Sequence, residues 1–153
     1  VHVHVAEGDS DTWQRLVDHS DDDWLIVHGV HLPDDHGLRG TLVHNPRSNM
    51  NNSVGYARPG RFDLPIALGT DGIGADMLEE FRLAYVAARA DDVTATPDQA
   101  WGWLQTGWDL MPAALVDGEV VWDGEPTLVD GDEIRAKAAE AATKLHARLA
   151  ALE

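Results

Sequence analysis

The chain has 153 residues, 44% of them hydrophobic and six of them Trp, which describes a folded protein of one-domain size rather than a disordered segment. A formal charge of −16 excludes a surface built for nucleic acid, which needs clustered Lys and Arg, and it disfavours anionic membranes by the same sign. With no Cys there is no disulfide, thiolate metal site or Cys nucleophile, so any metal must be held by His, Asp or Glu.

In chain order, VHVHVA alternates Val with His, a period-two pattern that predicts a strand with His2 and His4 on one face. A chain that opens in mid-strand predicts that something upstream has been removed. DTWQRLVDH predicts a short helix with Trp13, Leu16 and Val17 as its apolar stripe. Strands are expected over residues 24–28 (WLIVH), 39–45 (RGTLVHN) and 64–71 (LPIALGTD), with 45–60 between the last two read as a long irregular loop rich in Asn, Ser, Pro and Gly.

The segment 75–90 predicts a helix with Met77, Leu78, Phe81, Leu83, Ala84 and Tyr85 at helical spacing, while Asp76, Glu79 and Glu80 suit the positive end of its dipole. A second helix is expected over 96–107, capped by Thr96, opened by Pro97 and stopped by Gly107. Residues 114–127 predict a hairpin turning at Asp117-Gly118. The Ala-rich stretch 131–152 predicts a long helix with Ile134, Ala138, Ala141, Leu145 and Leu149 facing inward. No apolar run reaches a membrane-spanning length of about 18 residues and the first residues lack a basic, then apolar leader, so a cytoplasmic protein is expected.

Alternating strands and helices favour a parallel sheet with covering helices. Four polar groups then fall at or beyond the C-terminal strand ends, the edge where such folds place their sites: His4 with Glu7, His28, the Asn45–Asn49 loop, and Asp71. Taken singly, each has an ordinary explanation: GTDG makes a turn, and Asn and Ser bond their own backbone. The Trp101, Trp103 and Trp108 cluster is read as packing, the Asp21–Asp23 run as a solvated loop, and His2, His19, His31, His36, His44 and His146 are assigned no role.

The motifs HVHVAEG, VHGVHLP, HNPRSNMNNSVGYA and LGTDGIGADMLEEFR, in that order, resemble the amidohydrolase superfamily, in particular its chlorohydrolase and guanine-deaminase-like branch. The resemblance covers nearly the whole chain. It implies an α/β fold: strands five to eight of a (β/α)8 barrel over residues 1–108, then a hairpin and helix from the small β domain over 109–153. It implies a metal-dependent hydrolase of C–N or C–Cl bonds on a small heterocycle. His4, His28 and Asp71 would bind one divalent ion, Zn or Fe, while Glu7, His28 and Asp71 act in catalysis and Asn45, Ser48 and Asn49 line the substrate pocket. The family's strand-one His-x-His pair has no counterpart. A half-barrel has open edges, so the expected partners are further copies of the chain or a complementing N-terminal half. The alternative is an incomplete fragment with a structural or partner-binding role.

Overall fold

Four short strands, β1 (His2–Val5), β2 (Leu25–His28), β3 (Thr41–His44) and β4 (Ile66–Leu68), lie side by side in chain order, each neighbouring pair parallel. They belong to a computed structural model that describes residues 1–8, 13–110, 114–116, 119–122 and 130–150. Val1–Leu110 and Met111–Glu153 form two compact units.

The register aligns Val3, Ile26, Leu42 and Ile66 across the sheet, so the period-two pleat sends one row of apolar side chains to a common face. There they meet Ala84 and Ala88 of α2 (Met77–Asp91) and Trp103 and Leu104 of α3 (Pro97–Asp109). Ile26, Leu42 and Leu104 are fully buried, and each such side chain stabilises the fold by roughly 1.5–3 kcal/mol. His4 aligns with Val27 and stands on the opposite face.

Several expectations change on contact with the fold. Residues 45–60 are not wholly irregular: α1 (Pro46–Asn51) starts where Pro46 takes the first turn, and a 3-10 turn forms at Pro59–Arg61. The helix expected near residues 11–19 is a single 3-10 turn, Trp13–Leu16, within the described residues. In α2 the inner face carries Glu80, Ala84 and Ala88, while Leu78 is exposed, because the tertiary packing rotates the buried stripe to include an acid that Arg47 neutralises. Asp76 does cap this helix, its side chain accepting from the backbone N–H of Leu78 and Glu79.

Gly107 does not stop α3, which continues to Asp109 after starting on the Thr96 cap. It is instead a contact point. A Cβ on Gly107 would stand 2.9 Å from the Leu68 carbonyl oxygen of β4. Helix propensity alone makes Gly107→Ala stabilising by about 1 kcal/mol. The clash reverses the sign, and a net loss of roughly 1–3 kcal/mol is expected. Urea midpoints of the two proteins decide which effect wins.

In the second unit, β5 (Ala114–Val116) and β6 (Glu119–Trp122) pair antiparallel, and α4 (Gly131–Ala150) begins at Asp130, whose carboxylate accepts from the backbone N–H of Asp132 and Glu133. The Asp117-Gly118 turn lies outside the described residues. Ala138 and Ala141 of α4 are exposed rather than inward, and the side chains of Ile134, Leu145 and Leu149 lie outside the described ones. No described helix is long and apolar enough to cross a membrane.

Candidate metal centre

Three non-glycine residues at or just beyond strand ends adopt left-handed backbone: Ala6 after β1 (φ 49°), His28 at the end of β2 (φ 74°) and Asp71 after β4 (φ 52°). Such conformations are disfavoured for L-residues and persist where the surroundings enforce them. At His28 the consequence is visible. Its register partner is Val5, on the helix-covered face, yet its ring reaches the side chain of His4 on the other face. The twist at the strand end carries the imidazole across the sheet edge.

His28 Nε2 lies 3.2 Å from His4 Nδ1, 3.6 Å from Glu7 Oε2 and 3.9 Å from Asp71 Oδ2. The ligand atoms of His4, Glu7 and His28 all lie within 4.8 Å of one another. Two ring nitrogens and the Glu7 carboxylate thus converge on one small volume at the C-terminal sheet edge, while Asp71, expected among the ligands, approaches that group at His28. The set suits a borderline divalent cation, since two nitrogens bound tetrahedrally at about 2.0 Å stand about 3.3 Å apart. The residues present fit a metal.

The neighbours of this cluster hold it from behind. His28 Nδ1 is 2.8 Å from Asn49 Oδ1, an acceptor that places the proton on Nδ1 and leaves the Nε2 lone pair facing the other three groups. Ser48 Oγ donates to Asp71 Oδ2 at 2.6 Å, and this bond, aided by His28, holds the Asp71 carboxyl below the usual carboxylate range against a smaller opposing effect of burial. Asn52 Nδ2 donates to Glu7 Oε1 and more distantly to Ser48 Oγ. Ser48 and Asn49, expected to line a substrate pocket, are fully buried and bonded to His28 and Asp71. Asn45 is equally buried and packs on Gly69, where a Cβ would come within 2.4 Å of its Oδ1.

Two buried groups were given no part in the site by the sequence. Glu80 is fully buried and accepts from Arg47 Nε (2.8 Å) and from the Arg47 backbone N–H (3.2 Å); burial raises its carboxyl above the ordinary range while these bonds pull the other way. Its spacing with Phe81, Ala84 and Ala88 put it on the inner face, a signal masked by reading acids near a helix start as dipole partners. His44 is also fully buried, its ring edge against Tyr56, and desolvation first and the nearby His28 second push its imidazole down to about 3. It is neutral at ordinary pH.

No family model matches the chain. A curated relative, the 5-methylthioadenosine/S-adenosylhomocysteine deaminase of Shouchella clausii (strain KSM-K16), is 26% identical over 148 residues, covering 77% of this chain and 32% of the relative. The chain is related to the amidohydrolase-superfamily deaminases. A zinc-bound adenosine deaminase from Xanthomonas campestris has a similar fold, with a TM-score of 0.52 at 19% identity over 96% of this chain and 51% of that one. The chain thus spans about a third of the curated deaminase and about half of the solved one. Its four-stranded parallel sheet is compatible with part of a (β/α)8-type deaminase fold.

Proposed function

We propose that this deaminase-related chain carries the proton-handling half of a metal-dependent hydrolase that deaminates an amino-substituted heterocycle. The observation that carries the proposal is the convergence of His4 Nδ1, His28 Nε2 and Glu7 Oε2 at one sheet edge, with the two nitrogens 3.2 Å apart and Asp71 Oδ2 3.9 Å from His28 Nε2.

His4, His28 and Asp71 would hold the ion, and a Zn²⁺ or Fe²⁺ bound there would supply Lewis acidity. Asp71, kept ionised by Ser48, would accept a proton from the attacking water. Glu7, about a third exposed beside His28, is placed to carry a proton to the ring or to the departing amine. The net change adds water across a ring C–NH2 bond and releases ammonia; the same attack at C–Cl would release chloride. The named relatives are deaminases, which favours the first. Ser48 and Asn49 hold Asp71 and His28, and Asn45 completes the wall behind them.

Ammonia release is the direct test, over aminated purines, pyrimidines and triazines with zinc supplied. Glu7→Gln is expected to lower turnover by about 10²- to 10⁴-fold. Zinc uptake by the variant, measured alongside, separates a proton-transfer role for Glu7 from a ligand role. Equal turnover in the variant would remove Glu7 from the reaction.

A second reading rests on the sheet order, which gives β1 and β4 one strand neighbour each among the described residues. In that reading the chain is catalytically incomplete, and its edges pair with another copy or with a complementing N-terminal half. Zinc uptake without turnover, together with a concentration-dependent mass in light scattering, would favour it.

A further inference from the structure

Arg47 occupies a junction that none of the proposed chemistry uses. From the start of α1 its Nε and backbone N–H reach Glu80, fully buried on α2, and its Nη1 reaches Glu79 at 2.7 Å. The third arm of the fork lies under the loop that follows β4: a Cβ on Gly74 would come within 2.8 Å of Nη2. One guanidinium therefore touches the helix that follows the site and the loop that carries Asp71. The next two residues of α1 are Ser48, which donates to Asp71, and Asn49, which holds His28.

The pair has a poor reason to exist as a stabiliser alone. A buried ion pair is often no better than apolar residues of the same volume, and its best-attested use is to fix one arrangement among several. α1 has six residues, and its N-cap Asn45 makes no side-chain capping bond. Too short to hold its own position, it depends on tertiary contacts for its pitch and rotation. A small rotation of α1 would move the Ser48 hydroxyl and the Asn49 carbonyl together, so one clamp governs both an acid and an imidazole of the metal cluster.

We infer that Arg47, through its ion pair with Glu80, is a positioning residue that sets the metal affinity of the His4, His28 and Asp71 cluster by fixing α1. The inference rests on the metal-centre reading and deepens it. The contacts of Arg47 are with Glu79, Glu80 and the Gly74 loop, so it acts through Ser48 and Asn49.

The test compares the intact chain with Arg47→Met, which keeps the aliphatic stem and removes the fork, and with Glu80→Gln, which keeps one acceptor and removes the charge. Zinc affinity is measured by competition with a chromophoric chelator, and the His28 tautomer is read from ¹⁵N shifts of the metal-free protein. Leu104→Ala, a core truncation on α3 remote from the clamp, is the control for lost stability. The expected result is a 10- to 100-fold weaker zinc affinity in Arg47→Met, the range seen when an outer partner of a ligand is removed. A smaller loss is expected in Glu80→Gln, together with a mixed His28 tautomer in both variants. The control should bind zinc within about twofold of the parent. Should Arg47→Met fail to fold, Glu80→Gln carries the test by itself. Unchanged zinc affinity and an unchanged tautomer in a folded variant would overturn the inference while leaving the metal centre intact. A parent chain that takes up no zinc would overturn both.

Discussion

His28→Ala is expected to lower zinc affinity by well over about 100-fold, more than the loss of any outer partner, because it removes a donor and the group that orients its neighbours at once. The residue is fully buried, with Asn49 on one ring nitrogen and His4, Glu7 and Asp71 around the other. Asn49→Leu leaves the imidazole in place but unfixed. It should fall in the 10- to 100-fold range typical of an outer partner. Competitive zinc titration of the two variants gives the ordering, and equal affinities in His28→Ala and the parent would take His28 out of the ligand set.

Acid should destabilise the protein through His44. In the folded chain this imidazole is pushed down to about 3 by burial and by His28. Unfolded, it returns to its ordinary value of about 6.5. Between those limits the unfolded state binds a proton that the native state refuses, so stability rises with pH by up to about 1.4 kcal/mol per unit. The contribution is fully present above the unfolded value and is lost as pH falls from about 6.5 toward about 3, on the order of 5 kcal/mol in total. Asp71, held low by Ser48, works in the same direction at more acid pH, whereas Glu80, raised by burial, opposes it. The difference between the parent and His44→Phe isolates the histidine. Urea unfolding at half-unit pH steps should show the parent losing stability faster than the variant below pH 6.5, and parallel curves would refute the assignment.

The parallel sheet was legible because alternation and Val-rich runs are local signals. The strand-end positions of His4, Glu7, His28 and Asp71 followed from those runs. What escaped was set by tertiary contact. Pro46 opens a helix inside a stretch whose Asn and Ser content reads as loop. Gly107 looks like a terminator until the Leu68 carbonyl is placed beneath it. Ser48 and Asn49 carry the right chemistry for a pocket wall, and only coordinates show them bonded to Asp71 and His28. Glu80 is an acid near a helix start and reads as a partner of the helix dipole. Its burial depends on a cation 33 positions away in the chain.

The left-handed backbone at His28 and Asp71 also sets a limit on improving this protein. At such angles a glycine would relax the main chain, since it lacks the Cβ that makes them costly. Here that route is closed. Gly at either place would relieve the strain and delete the side chain the strain exists to aim. Selection for thermal tolerance and selection for the proposed metal centre therefore pull these two positions apart, and a more heat-resistant descendant must gain its margin elsewhere, in the helices and the sheet core.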